Sequence, residues 1–493
     1  MILLNIFPVD IFSESLLLIC SVLVFAAVAV TTLGSRWGVP SLLLFLLLGM
    51  VVGQDGLGFH IDDYESAESF GHFAMTVILF TAGMETSLSE TKPVFRQGVL
   101  LSSLGVFLTV LLTGTFVWLL VGSKGVPIMV CFLLAAILSS TDSTSVFSVL
   151  KSKKLRLREN LGPMIEMESG SNDPMALTLT IILVKLITTE GLLEEGGTAA
   201  ILAAGLVLLL QIVVGLAIGF AVGYASKWVL ARINLPSFAI TSILLLSMGF
   251  FASGLADFLS GNGLLAAYVT ALIIGNKADL KQRKEVSNFF DGLTWLMQLA
   301  MFLILGLLAR PSHMLPVLIP ALLIGLFLMF VARPLSVFAC LAPFRGLSAR
   351  AKVLTSWVGL KGAGPILFAL CPVVAGMTHA VSIFNIVFLI TLFSLLVQGG
   401  GLSKLAKWLN LSYEEDPKAE VFGMELPEEM GILRDHTVTS DDLMGGKTLR
   451  DLHLPHGIRV MMVRRDGKFL VPHGSMELEE GDKLIIIMGD SDD

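Results

Sequence analysis

Long apolar runs follow one another along this chain from about residue 13 to Asn410, each near the length that crosses a bilayer. A helix needs about 20 apolar residues to span roughly 30 Å of hydrocarbon. Backbone polar groups at that depth must be satisfied within the chain, so helices are the only solution for most of its length. The composition agrees, since only 15% of residues are charged, against about a quarter in a soluble globular protein. The runs divide into about thirteen predicted helices: 13–33, 40–54, 70–85, 97–121, 127–150, 161–189, 199–230, 237–257, 262–276, 287–308, 314–344, 349–375 and 380–406. The fold class is therefore an all-α polytopic membrane protein.

The first run has Asp10 and Glu14 ahead of it rather than a basic stretch, so it reads as a true span and not a cleaved signal. Cys20, Cys131, Cys340 and Cys371 lie inside apolar runs without metal-ligand spacing and read as buried small hydrophobes. Alternate loops are basic: Arg36, Lys92 with Arg96, KSKKLRLREN from Lys151, Lys227 with Arg232, NKADLKQRKE from Asn276, FRGLSARAK from Phe344, and Lys404 with Lys407. The other set is acidic or neutral, with Lys124 and Arg310 breaking the pattern. His60, in one of these loops, reads as a loop feature without function. The positive-inside rule makes the basic loops cytoplasmic, with the N-terminus outside and the C-terminus in the cytoplasm. The expected location is the cell's inner (plasma) membrane.

Composition changes after Leu411, which divides the chain into a membrane domain over 1–411, a linker over 412–420 (SYEEDPKAE) and a polar domain over 421–493. Asp466-Gly467 between IRVMMV and FLVP is a hairpin signal, and EEGDKLIIIMG reads as a turn feeding a buried strand. About seventy residues are near the lower limit for independent folding, so this small, β-rich α/β domain is expected to dimerise. It has no Gly-rich dinucleotide fingerprint.

Charges that remain inside the spans are functional candidates, because each costs roughly 2.5–3.5 kcal/mol to insert. They are Asp142, Glu166, Glu168, Asp173, Arg333 and Lys361. Asp142 sits among hydroxyls in LSSTDSTSVF, and Lys361 sits in the Gly/Pro interruption GLKGAGPI. Interrupted spans at corresponding places in two halves point to a secondary transporter's binding site. With the seventh helix as the link, the fifth and twelfth spans correspond and the halves are inverted repeats. At about 100° per residue, Ser169 and Asp173 share one helix face, and Glu168 with Asn172 share a neighbouring one. Glu168 is thus free to pair with Arg333, which cannot shed its proton. Asp173 is left without a cationic partner and can take either a proton or a small cation. Asp142 is expected to stay ionised, supported by the hydroxyls of Thr141 and Ser143 and by a half-helix N-terminus. It also reads as a local helix-bending feature. Glu166 has no evident partner and lies toward the cytoplasmic end of its span.

TDSTSV in a broken span, ESGSNDPMA in the next, an arginine in the eleventh and GLKGA in the twelfth together resemble the monovalent cation:proton antiporters. The resemblance is to the NhaP/NHE-like branch with Asn-Asp in place of Asp-Asp. The tail resembles the TrkA-C (RCK-C) domain, so the whole chain is similar to NhaP-type potassium/proton antiporters. The resemblance implies that Asp173 carries the ion and the proton, that Thr141, Asp142 and Ser169 complete the cation site, and that Glu168 with Arg333 is a structural ion pair. It puts Asn172 where the electrogenic branch has a second aspartate, and implies crossed broken helices. Lys361 stands where the family has arginine. It keeps the charge that offsets half-helix ends but loses the forked donor, and it also reads as a snorkelling side chain.

The expected activity is electroneutral exchange of a proton for potassium or sodium, by competition for Asp173 within an oxygen-lined site suited to a hard ion. No cofactor, enzymatic step or nucleic acid is expected. The expected partners are the bilayer, a second copy in a homodimer, and a small anionic, nucleotide-type regulator of the tail. Two other readings compete. A potassium channel needs a carbonyl-ring filter such as T-V-G-Y-G, which is absent from the sequence. A transporter-derived sensor is opposed by the intact set of Thr141, Asp142, Asp173 and Arg333. A hydrolase is set aside because SGSND is not G-x-S-x-G.

Overall fold

The computed structural model describes residues 16–35, 40–59, 63–122, 125–189, 192–233, 235–280, 282–344, 346–414, 420–421, 424–425, 433–439, 442, 446–452, 458–465 and 468–488. Arg36, His60, Lys124, most of the SYEEDPKAE segment and the Asp466-Gly467 turn lie outside the described residues. The chain divides into two compact units, Met1–Tyr413 and Glu414–Asp493.

The first unit is helical. Its helices are α1 (Leu16–Ser35), α2 (Ser41–Val52), α3 (Tyr64–Glu85), α4 (Leu88–Val121), α5 (Ile128–Ile137), α6 (Ser143–Ser152), α7 (Leu161–Thr188) and α8 (Leu192–Arg232). They continue with α9 (Phe238–Phe258), α10 (Gly263–Lys277), α11 (Arg283–Leu308), α12 (Pro311–Leu341), α13 (Ala349–Trp357), α14 (Ala363–Val374) and α15 (Ala380–Trp408). Among the described residues, six helices are long and apolar enough to cross a membrane: α4, the Leu202–Arg232 part of α8, α9, α11, α12 and α15. The predicted fifth span is two short helices, α5 and α6, separated by Leu138–Asp142, and the predicted twelfth is likewise α13 and α14.

Several boundaries differ from the sequence reading, for local reasons. Helix α3 starts at Tyr64 rather than at 70, because Asp63 caps it by accepting from the Ser66 N–H at 2.9 Å. Its first turns are polar, so hydropathy places them in the loop. Helix α4 starts at Leu88, capped by Ser87. Three long helices contain π-turns, at Leu101–Gly105, Leu328–Ala332 and Leu395–Gly399. A π-turn shifts every following side chain around the axis and is frequent near functional sites. The turn in α12 ends directly before Arg333, and the one in α15 contains Gln398.

The unit's interior is filled by Phe45, Leu133, Phe302, Phe368 and Phe388, each no more than 1% exposed. Helices α2 and α11 approach backbone to backbone at Gly49 and Gly306, where a Cβ on either would collide with main-chain atoms of the other helix. Helix α11 is held to α3 by two tilted rings, Phe80 against Phe290 at 5.5 Å, and by Thr294 donating to Thr81 at 2.9 Å. These contacts make α2, α3 and α11 one closely packed wall.

The second unit contains a four-stranded antiparallel sheet of β1 (Leu433–Thr437), β2 (Ile458–Arg465), β3 (Lys468–Leu470) and β4 (Lys483–Met488), in the order β1-β4-β2-β3. Strands β2 and β3 pair Val463 with Leu470, so the segments flanking the Asp466-Gly467 signal do form a hairpin. Leu484 and Ile486 on β4 pack with Val438, Val463 and Leu478 as the core. Arg465 ties the sheet to the following turn through Asp482 and Glu479, at 2.7 and 2.6 Å. Its guanidinium hydrogen bonds hold the Asp482 carboxyl below the usual carboxylate range.

Candidate functional site

The two interrupted helices meet at their breaks. The Asp142 N–H donates to the Leu360 carbonyl at 2.9 Å, and Lys361 Nζ donates to the Ser140 carbonyl at 2.7 Å. Gly362 lies against the Asp142 carboxylate, where any Cβ would collide with it. The second break is braced by α15. Ser394 Oγ accepts from the Lys361 N–H at 3.0 Å, and Gln398 Nε2 donates to the Trp357 carbonyl at 3.0 Å, satisfying an orphan carbonyl at the end of α13.

Breaking a span exposes helix ends inside the protein, each carrying about half an elementary charge. Asp142 sits at the N-terminus of α6 as its cap, with Oδ1 accepting from the Ser145 N–H at 3.2 Å and Oδ2 bound by Ser145 Oγ. Lys361 sits beside the carbonyls that follow α5. Each charge therefore faces the helix end of opposite sign. The sequence reading assigned Asp142 the hydroxyls of Thr141 and Ser143. Its hydroxyl partner is Ser145 instead, because an N-cap side chain reaches forward to the N–H three residues on. Lys361 is 2% exposed with its ammonium bonded internally, which removes the snorkelling reading.

Helix α7 packs along the first break. Asp173 is 8% exposed, and its Oδ1 accepts from Ser140 Oγ at 2.5 Å. Ser140 is a partner the sequence reading missed, one position before the segment it chose. Ser169 Oγ donates to the Thr141 carbonyl at 2.7 Å and accepts from the Ser143 N–H at 3.0 Å. Asn172 Nδ2 donates to Thr141 Oγ1 at 2.5 Å. Glu168, on the neighbouring face, pairs with Arg333, and both side chains are buried. Gly359 lies against the Arg333 guanidinium and leaves room for it. Glu166 is half-buried, and the charges facing it include Glu85, Glu90 and Lys151.

A cavity of about 30 Å³ opens beside Asp173, walled by Ser140, Asp142, Ser143, Ser169 and, across from them, Gln298 of α11. That volume holds about one water-sized particle, the size of a largely dehydrated ion. Thr141 and Asn172 do not line it. They stand behind it and fix Ser169 and the break. A second cavity, of about 220 Å³, lies toward the start of α3 and is lined by Glu68, His72 and Cys371. Met75 borders both cavities.

Residues 22–408 match the profile of the family described as sodium/hydrogen exchanger, transmembrane. The chain belongs to this family. This exchanger is a cation:proton antiporter, a secondary transporter and not an enzyme. Its residues 433–492 match the TrkA-C domain. Among similar proteins, the K(+)/H(+) antiporter NhaP2 of Shewanella oneidensis is 34% identical over 485 residues, covering 96% of this chain and 81% of the relative. The K(+)/H(+) antiporter NhaP of Alkalimonas amylolytica is 35% identical over 479 residues, covering 96% and 80%. The solved sodium proton antiporter MjNhaP1 from Methanocaldococcus jannaschii at pH 8 has a TM-score of 0.67 over 80% of this chain and 99% of that one. At 21% identity that likeness is one of fold, and it makes the exchanger's membrane unit NhaP-like.

Proposed function

We propose that the exchanger swaps one potassium ion for one proton, the two competing for the Asp173 carboxylate. The carrying observation is a buried carboxylate beside a cavity of about 30 Å³, with hydroxyl oxygens around it and no cation paired to it among the described residues. Asp142 and Ser169 supply further oxygens to a hard ion. Thr141 and Asn172 position them, while Glu168 with Arg333 holds α7 against α12. Lys361 neutralises the helix ends at the crossing. Potassium is supported by the relatives that cover both units, which are named as potassium antiporters.

The chain is read as crossing the inner membrane thirteen times, with α5–α6 and α13–α14 each one interrupted span of two inverted halves. The basic loops put the C-terminus in the cytoplasm. Two copies form a homodimer, and the tail binds a small anionic, nucleotide-type regulator. A pH gradient across proteoliposomes, challenged separately with potassium, sodium, rubidium and lithium, tests this reading. Potassium is expected to dissipate the gradient at the lowest concentration. Half-maximal dissipation by sodium or lithium at a lower concentration overturns the assignment of the ion.

The tail is read as a regulator rather than part of the machine, so deleting residues 414–493 is expected to leave exchange in place with altered pH or ligand dependence. The cut belongs after Tyr413, where the first compact unit ends. Leu411 is 3% exposed, and its carbonyl accepts from the Arg158 N–H at 2.9 Å, so it belongs to the membrane unit. Complete loss of transport by a correctly inserted truncation contradicts this role.

A further inference from the structure

We propose that Gln298 is a ligand of the transported cation, supplied to the Asp173 cavity from the opposite wall. This inference rests on the reading of Asp173 as the exchange site. Gln298 lies in the middle of α11, a helix whose neighbouring residues are Met297, Leu299 and Met301. It is 9% exposed, and among the described residues its amide makes no hydrogen bond. Its amide atoms are not sealed in the packing but reach the cavity, so they are free to bind what enters it. Gln298 shares the cavity with Asp173, and Met301 and Phe302, one turn further on, line the same cavity from the same face.

The other polar side chains of that cavity come from α7 and from the segment running from the first break into α6. Most of them already have assigned bonds: Ser140 with Asp173, Ser145 with Asp142, and Ser169 with Thr141 and Ser143. Gln298 has none to give up. Its oxygen is a neutral acceptor, which suits an alkali cation as a hard ligand. It cannot itself titrate near neutral pH, so it favours one of the two competitors at Asp173. A cation at the carboxylate gains an additional oxygen, whereas a proton on Asp173 is already covalently held. Gln298 also belongs to the α2–α3–α11 wall and not to the crossed breaks. A cation held between Asp173 and Gln298 is therefore bound by two separate parts of the protein, and any motion of one against the other exchanges that ligand.

The test is exchange kinetics of the full chain in proteoliposomes for Gln298→Leu and Gln298→Asn, with Asp173→Asn in parallel. Gln298→Leu is expected to raise the cation KM about tenfold, with the maximal rate within about twofold of the unsubstituted protein. Thermal protection of the purified protein by potassium is expected to need about tenfold more salt. Gln298→Asn keeps the amide but withdraws it by one methylene, and is expected to raise KM less. An unchanged KM for potassium, sodium, rubidium and lithium in Gln298→Leu overturns the proposal. Should the leucine variant not fold, an unchanged KM in Gln298→Asn does the same. If Asp173→Asn loses exchange while both Gln298 variants behave as the unsubstituted protein, Gln298 alone is misassigned. If Asp173→Asn still exchanges, the site itself is wrong.

Discussion

Asp173→Asn is expected to give a folded, inserted protein with no measurable exchange, a loss of at least about a hundredfold. Asparagine has the same shape and still offers an oxygen to Ser140 Oγ, which now bonds Asp173 at 2.5 Å. The packing of α7 against the first break should survive, because Ser169 and Asn172 make that contact through Thr141. What disappears is the group for which, on this reading, the proton and the cation compete. Asp142 is not expected to replace it, since Ser145 fixes it as the cap of α6 and it serves the ion only as a further oxygen ligand. Gradient dissipation by the purified variant in proteoliposomes checks this, with thermal unfolding as the control for folding. Exchange above a tenth of the unsubstituted rate contradicts the assignment.

The largest effect on stability is expected at the Glu168–Arg333 pair. Both side chains are buried, at 2% and 6% exposure, so removing either strands a charge in a medium that solvates it poorly. Each single change, Glu168→Gln or Arg333→Met, is expected to cost about 3–5 kcal/mol. The double variant strands no charge and should cost less than the sum. Unfolding of the four proteins in detergent measures this coupling. Strict additivity would mean that the pair contributes nothing beyond two independent side chains. The same cycle separates structure from transport, because the double variant, if folded, should still exchange ions.

Much of this arrangement can be read from the sequence, and the exceptions share a cause. The two interrupted spans are visible because hydroxyls around Asp142 and the Gly/Pro run around Lys361 are out of place in hydrocarbon. Glu168 and Arg333 find each other on paper because an arginine at membrane depth must be paired. Ser140 is missed because the chain leaves the helix after Leu138, and the 100° rule used to sort faces no longer applies there. The partner of Asp142 was legible: Asp142 followed by Ser145 is a capping spacing, and the adjacent hydroxyls drew the reading away from it. The start of α3 is hidden from hydropathy by its polar first turns, although Asp63 and Ser66 mark it as a cap. The π-turns before Arg333 and at Gln398 have no sequence signature, since they express how a helix fits its neighbours. Gln298 and the contact of Gly49 with Gly306 depend on which helices lie side by side, which no single span encodes.

The central claim is that one carboxylate serves both ions, one at a time. Asn172, whose amide donates to Thr141, offers no second charge, and Glu168 is committed to Arg333. Each cycle then carries one cation one way and one proton the other, and no net charge crosses. The direct measurement is the rate of potassium-driven gradient dissipation in proteoliposomes whose membrane potential is set with an ionophore to positive, zero and negative values. The account predicts the same rate at all three, and no steady current on a solid-supported membrane. A rate that changes with potential, or a current that persists through turnover, contradicts it and means that a second group at the crossing, Asp142 or Lys361, also carries a proton.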